Sequence, residues 1–370
     1  MGDKRIPVAA PALVGREREY VLDCLDSTWI SSSGRYLDLF ETAFAEFCGV
    51  RHAVACCNGT VAVHLALLAH GVGAGDEVIV PTLTYVATAN PVTYCGATPV
   101  FVDSEPRTWN MDPECVAEAI TPRTRGIVVV HLYGHPVDMD PILELAERHN
   151  LWVIEDAAEA HGARYRGRIV GSMGSLATFS FYGNKIITSG EGGMVVCDDE
   201  RLAAAVRQLR GQGQDPQRRY WFPVVGFNYR MTNIEAAIGL AQLERIDWHI
   251  GRRREIAGWY REELACVEGV ELSPQASWAE SAYWITCAVL DEACFGQRDD
   301  VMRRLDEAGI ETRPFFYPLH TLPMYQELNE GKQFPVAEDL ARRGVNLPSS
   351  AVLTRQDVAY VCERLRGLRR

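Results

Sequence analysis

Only three lysines occur in this chain of 370 residues, Lys4, Lys185 and Lys332, against thirty-four arginines. Lys4 lies near the start and Lys332 in a polar Glu-Gly-Lys-Gln stretch. Lys185 sits in the nearly uncharged run Thr178-Phe-Ser-Phe-Tyr-Gly-Asn-Lys185-Ile-Ile-Thr-Ser-Gly, directly after an apolar strand pattern. Where guanidinium is the usual cation, an isolated ammonium points to work that a guanidinium does not do. The foremost such task is forming a Schiff base, which needs a nucleophilic amine that can lose its proton. The competing reading is a lysine snorkelling at a strand end.

Two further groups suit the same chemistry. The run Leu151-Trp-Val-Ile-Glu-Asp156 ends in a carboxylate, with Glu159 and His161 just beyond. An acid at the carboxyl end of a buried parallel strand lies where open α/β sheets bind ligands. It suits a protonated heterocyclic nitrogen, as in a pyridoxal phosphate site, although strand-end acids also cap turns. Asn58-Gly59-Thr60 stands between a strand pattern and an apolar helix pattern. Free amides and a hydroxyl at a helix start suit a phosphate, and an ordinary N-cap has the same look. Other motifs fall away. Gly71-Val-Gly-Ala-Gly precedes a strand, whereas a dinucleotide loop follows one. His131 and His135 flank Tyr-Gly after a strand instead of sharing a helix face, so no metal is expected.

The elements that must position these groups show in the periodicity. Strands are expected at Ala53–Cys56, Glu77–Val80, Pro99–Val102, Gly126–Val130, Trp152–Glu155, Ala177–Phe181 and Met194–Val196. Helices are expected at Thr60–His70, Tyr85–Cys95, Asp112–Ile120 and Asp138–His149. Continuous apolar strands alternating with helices imply an α/β, mostly parallel sheet covered on both faces. Gly211 to Asn228 is an irregular excursion rich in Arg, Gln, Gly and aromatics. Helices near Asn233–Ile246 and Arg252–Ala265 follow, then a strand at Tyr283–Leu290 and helices at Asp300–Ala308 and Gln356–Leu368. The division read from this is a large domain over residues 1–250 and a smaller α+β domain over 251–370.

Composition bounds the function. A net charge of −12 argues against nucleic acid, whose phosphates need clustered Lys and Arg. Eleven cysteines with no Cys-x-x-Cys spacing read as buried thiols of a reducing compartment, hence a cytoplasmic protein. The start, Met-Gly-Asp-Lys-Arg-Ile-Pro, has no long apolar segment, so no signal peptide is expected. Val78 to Val102 carries no charge, yet Pro81, Asn90, Pro91 and Pro99 exclude a membrane helix there.

In this order, Asn58-Gly59-Thr60, Glu155-Asp156-Ala-Ala-Glu159-Ala-His-Gly, and Ser180-Phe-Tyr-Gly-Asn-Lys185 followed by Gly190-Glu-Gly-Gly resemble the DegT/DnrJ/EryC1/StrS family of pyridoxal-phosphate-dependent nucleotide-sugar aminotransferases. The resemblance extends to Trp29-Ile-Ser-Ser-Ser-Gly, Pro81-Thr-Leu-Thr-Tyr85, Asn228-Tyr-Arg-Met-Thr-Asn and Arg313-Pro-Phe-Phe-Tyr-Pro-Leu-His320. It implies the aspartate-aminotransferase-like fold (fold type I). It implies Lys185 as the residue that binds the cofactor aldehyde and shuttles a proton, and Asp156 as partner of the pyridine nitrogen. Gly59, Thr60 and Ser180 would hold the phosphate, Tyr85 would stack on the ring, and Glu159, where many relatives have Gln, would lie beside the phenolic oxygen. Asn228 would reach the phosphate of the partner subunit, making a homodimer with shared active sites. Arg230 and Arg313 are candidate cations for the substrate, and Tyr317 and His320 candidate sugar contacts. The Glu159 form is similar to the subgroup that makes GDP-perosamine from GDP-4-keto-6-deoxymannose with L-glutamate as amino donor. Alternatives kept open are another GDP-linked keto sugar such as an octose, another pyridoxal phosphate chemistry, and a non-catalytic regulator that binds the cofactor.

Overall fold

The computed structural model describes residues 5–370; Lys4 lies outside the described residues. Seven strands form the main sheet: β1 (His52–Cys56), β2 (Glu77–Pro81), β3 (Thr98–Val102), β4 (Thr124–Val130), β5 (Trp152–Asp156), β6 (Leu176–Ser180) and β7 (Gly193–Cys197). Their spatial order is β1-β7-β6-β5-β4-β2-β3. All run in one direction except β7, which pairs antiparallel with β1 and with β6. The carboxyl ends of β1, β5 and β6 therefore share one edge, and that edge carries Asn58, Asp156 and Ser180.

The strands are buried along almost their whole length because helices cover both faces, which explains their unbroken apolar runs. Alternation along β6 sends Phe179 into a cluster with Phe44, Phe181 and His161, while Ser180 turns to the opposite face. The same alternation separates Glu155 from Asp156. Glu155 points away from the edge cavity, bonds His131 and accepts the backbone N–H groups of Gly171, Met173 and Gly174.

Local sequence sets the helix starts. Asn58 caps the helix Gly59–Ala69 by accepting the N–H of Val61. Asp112 caps Pro113–Ala119 with proline at its start, as its sequence predicts. The continuous helix expected over Tyr85–Cys95 is instead a 3-10 turn at Val86–Thr88 and a short helix at Asn90–Tyr94. Pro91 has no N–H for the ladder and starts a new turn. The second expected helix near residue 252 begins earlier and runs from Ile246 to Leu264.

A second, antiparallel sheet comprises β8 (Val270–Leu272), β9 (Cys287–Leu290), β10 (Arg313–Pro314) and β11 (Gly344–Asn346), in the order β8-β9-β11-β10. Its own apolar core gathers Ile256, Tyr260 and Leu264 of the long helix with Val345, Val358, Val361 and Leu365. The strand expected from Tyr283 pairs only from Cys287 onward. Tyr283 takes a left-handed conformation (φ 47°) that breaks the strand and turns Trp284 toward the main sheet.

Candidate active site

A cavity of about 540 Å3 opens at the shared edge, between the main sheet and the second one. Asn58, Gly59 and Thr60 line it from the helix after β1, Tyr85 and Thr88 from the loop after β2, Asp156 and Glu159 from the end of β5. Ser180 and Lys185 follow β6, and Trp284, Arg313 and Phe316 enter from the second sheet's connections.

Lys185 lies at the bottom. Its Nζ is 3.8 Å from Glu159 Oε1 and 3.9 Å from the centre of the Trp284 ring. The Trp284 indole N–H donates to the Asn184 carbonyl at 2.7 Å, fixing the ring to the lysine's own segment. Burial pushes the Lys185 amine below its ordinary value, against the attraction of Glu159 and Asp156. Glu159 is anchored by the Tyr133 backbone N–H, which donates to Oε2 at 2.8 Å. Tyr133 holds that amide in place from a left-handed backbone (φ 52°). Burial pushes the Glu159 carboxyl up to about 7, opposed by Lys185 and by the Tyr133 N–H.

Asp156 accepts the Thr88 hydroxyl at 2.8 Å on one oxygen and the Ala158 N–H at 3.2 Å on the other. Thr88 is itself bonded to Thr84 at 3.2 Å. Burial raises the Asp156 carboxyl despite these donors. A buried acid held in this way calls for a cationic partner in the cavity.

Opposite lies the start of the Gly59 helix, whose first-turn amides have no partner within the helix. Gly59 packs so closely on β6 that a Cβ would come within 2.7 Å of Ser180 Cβ and 3.0 Å of its hydroxyl. Only glycine lets the amides and hydroxyls of Gly59, Thr60 and Ser180 gather at one point, where the helix dipole favours an anion.

These residues fit pyridoxal phosphate. The donor set holds a buried acid for a ring nitrogen, a buried amine whose affinity for its proton is lowered by burial, and an amide-and-hydroxyl cradle for a phosphate. The Asn184 side-chain oxygen, buried with no hydrogen-bond partner, adds an unsatisfied acceptor to the lining. No group of three or more metal-ligating side chains occurs among the described residues.

The structure thus brings together Lys185, Asp156, Gly59, Thr60, Tyr85, Glu159, Ser180 and Arg313. Tyr85 stands at the mouth, with its ring 5.7 Å from that of Phe316. Arg313 is paired with Glu311 at 3.1 Å. Four expected residues do not line this cavity. Asn228 and Arg230 are exposed, and Arg230 lines a separate surface cleft of about 610 Å3 with Trp29, Arg35 and Arg210. Tyr317 is exposed. His320 is held between the Thr82 hydroxyl at 2.7 Å and Glu338 at 3.2 Å, and stacks on Phe334. Sequence reasoning missed Thr88, Tyr133 and Trp284. Thr88 stands one turn past Tyr85, where a hydroxyl inside an apolar stretch is a usable signal, whereas nothing local marks Trp284.

The family model described as the DegT/DnrJ/EryC1/StrS aminotransferase family matches residues 11–366. The chain is 58% identical to the GDP-perosamine synthase of Caulobacter vibrioides, over 98% of this chain and 97% of that one. It is 51% identical to the GDP-perosamine synthase of Escherichia coli O157:H7, over 98% of each. The crystal structure of Streptomyces venezuelae DesV in complex with a ketimine intermediate superposes with a TM-score of 0.91, at 38% identity and over 98% of both chains.

Proposed function

The chain belongs to the DegT/DnrJ/EryC1/StrS aminotransferase family and is a pyridoxal-phosphate-dependent sugar transaminase of fold type I; from that premise we propose that it moves the amino group of L-glutamate to GDP-4-keto-6-deoxymannose, giving GDP-perosamine. The observation that carries the substrate is the end-to-end identity of 58% with a protein named for that product.

Bound pyridoxal phosphate supplies an aldehyde carbon that takes up and gives back the amino group, and a ring that withdraws electrons from the carbon losing its proton. Asp156 sets the charge of the ring nitrogen, and Thr88 orients that carboxylate through its hydroxyl. Gly59, Thr60 and Ser180 hold the phosphate. Lys185 holds and moves the proton at Nζ, for which a buried amine that gives up its proton more readily than an exposed one is suited. Glu159, 3.8 Å away, shares that proton balance. Tyr85 covers the ring, while Trp284 and Phe316 exclude water from the far wall. Arg313 meets an anionic part of donor or substrate.

The same reading makes the working unit a homodimer in the cytoplasm. Trp29, Ile30, Tyr220, Trp221, Phe222, Val224 and Val225 are large apolar side chains left exposed, which suits burial against a second copy. Asn228 and Arg230 would then serve the partner's cavity, and Tyr317 and His320 would flank the sugar. The large unit would span residues 1–250 and the small one 251–370.

The test is a panel of GDP-, dTDP- and UDP-linked keto sugars incubated with enzyme, cofactor and L-glutamate. Mass spectrometry should show amination of GDP-4-keto-6-deoxymannose and release of 2-oxoglutarate. Preferential amination of a dTDP-sugar would overturn the nucleotide. Amination of a GDP-linked octose but not the 6-deoxyhexose would overturn the sugar alone.

A further inference from the structure

Behind Lys185 lies a buried cation with no counter-ion. Arg253, on the long helix Ile246–Leu264, is 3% exposed and makes no ion pair among the described residues. Its guanidinium donates instead to three backbone carbonyls from three segments: Lys185 itself at 3.2 Å, Ser349 at 3.2 Å, and Trp284. Its Nε has no partner. Burying a guanidinium against carbonyls alone is costly, and structural needs are usually met by a neutral group or a paired charge. The carbonyls chosen are also specific. Two belong to the residues whose side chains touch at the bottom of the cavity, Lys185 and Trp284.

We propose that Arg253 is a positioning residue for Lys185, clamping the main chain of the lysine to that of Trp284 and keeping an unneutralised positive charge behind the amine. This rests on the reading of Lys185 as the reactive amine. The charged and titratable groups facing that amine are Glu159 and Asp156 on the cavity side, and His161 and Arg253 behind it. His161 is fully buried among aromatic rings and pushed down to about 3, so it stays neutral. Of these four groups Arg253 is therefore the one fixed cation. Removing its charge leaves Glu159 and Asp156 free to hold Lys185 protonated. Replacing it by a single ammonium keeps the charge and loses the three-way grip.

The lysine count makes the test clean, because exposed Lys332 serves as an ordinary reference in the same molecule. Cofactor-free enzyme is reductively methylated with formaldehyde and cyanoborohydride across a pH series, and peptide mass spectrometry reads Lys185 and Lys332. In the wild type the Lys185 midpoint should lie below that of Lys332. In Arg253→Met it should rise by about one pH unit, a tenfold loss of neutral amine at a given pH. Arg253→Lys should keep the wild-type midpoint and lose about tenfold in kcat with little change in KM for L-glutamate. A folded Arg253→Met with an unmoved midpoint overturns the proposal. If that variant does not fold, Arg253→Gln replaces it, and a wild-type Lys185 midpoint no lower than that of Lys332 overturns the proposal without any variant. Borohydride trapping of pyridoxal phosphate on a lysine other than Lys185 would instead refute the reading of the site.

Discussion

Replacing Glu159 by Gln in the cofactor-free protein separates the electrostatics of this cavity from its chemistry. The amide keeps the size of the side chain and an oxygen for the Tyr133 N–H, and removes only the charge. In the wild type the folded-state carboxyl is raised to about 7 from an ordinary 4.5, chiefly by burial. Because the folded value lies above the unfolded one, the folded protein holds more protons between roughly pH 4.5 and 7, so stability falls as pH rises through that window. The shift corresponds to about 3 kcal/mol in full, of which about 2 to 3 kcal/mol accrues between about pH 5 and pH 8. Lys185 works in the same direction. Its folded value is already lowered by burial, and Glu159 is the largest influence raising it. In the Gln variant the amine is pushed down further, and wherever it titrates below its unfolded value the folded state binds fewer protons, the sign that adds stability as pH rises. Urea unfolding of both apoproteins at intervals from pH 5 to 8 should therefore give curves that diverge, the variant becoming the more stable by about 2 kcal/mol or more at the alkaline end. Parallel curves would refute the argument, since they would mean that Glu159 titrates as an exposed carboxylate does.

Four further outcomes follow from the geometry. Lys185→Arg should stay folded and lose both turnover and the visible absorption of bound cofactor, because a guanidinium does not attack a carbonyl; an absorbing, active variant would exclude Lys185. Asp156→Asn should lower kcat by about a hundredfold or more at saturating cofactor, measured as 2-oxoglutarate release, and near-normal turnover would exclude the pairing with the ring nitrogen. Gly59→Ala places a methyl 2.7 Å from Ser180 Cβ, so the dissociation constant for pyridoxal phosphate should rise about tenfold or more by fluorescence titration. Inactive Lys185→Ala and Asn228→Asp proteins, mixed under conditions shown to exchange subunits, should regain activity; no recovery would place both residues in one subunit's site.

The parts of the site legible in the sequence are those carried by strand ends. Asp156, Ser180 and the Asn58-Gly59-Thr60 turn each follow a continuous apolar run; parallel pairing puts the first two ends on one edge, and antiparallel β7 between β6 and β1 brings the third to the same edge. Lys185 was legible through composition, since arginine supplies nearly all the other positive charge. The remainder depends on long-range packing. Trp284 lies in a segment whose β-branched pattern continues into β9, and the left-handed turn at Tyr283 that redirects it has no local signature. Gly134 makes that turn possible, since a Cβ there would come within 2.9 Å of the backbone nitrogens of Tyr283 and Trp284. Arg253 was hidden differently. It sits among charged neighbours, Arg252 and Arg254, on a helix that reads as solvated, and only the placement of that helix between the two cores buries it.

Charge supports the proposal that two chains share the site. Among the described residues, Lys185 and Arg313 are the only cationic side chains lining the cavity, against Asp156, Glu159 and Glu191. Arg313 is already paired with Glu311, and Lys185 is proposed to give up its proton in the reaction. The start of the Gly59 helix supplies partial positive charge for one phosphate group, and its influence fades within the first turn. The work proposed here brings in a pyrophosphate and the two carboxylates of L-glutamate as well, in a protein whose overall field is negative. Exposed guanidiniums lie elsewhere. Arg218 and Arg219 are exposed and stacked on Trp221 and Tyr220, and exposed Arg230 lies two residues past the end of the excursion. An arm that exposes apolar rings and arginines together is poorly suited to water but well suited to a second copy, whose cavity lacks what the arm carries. On that reasoning we propose that the excursion at Gly211–Asn228 would serve the partner's cavity in a homodimer.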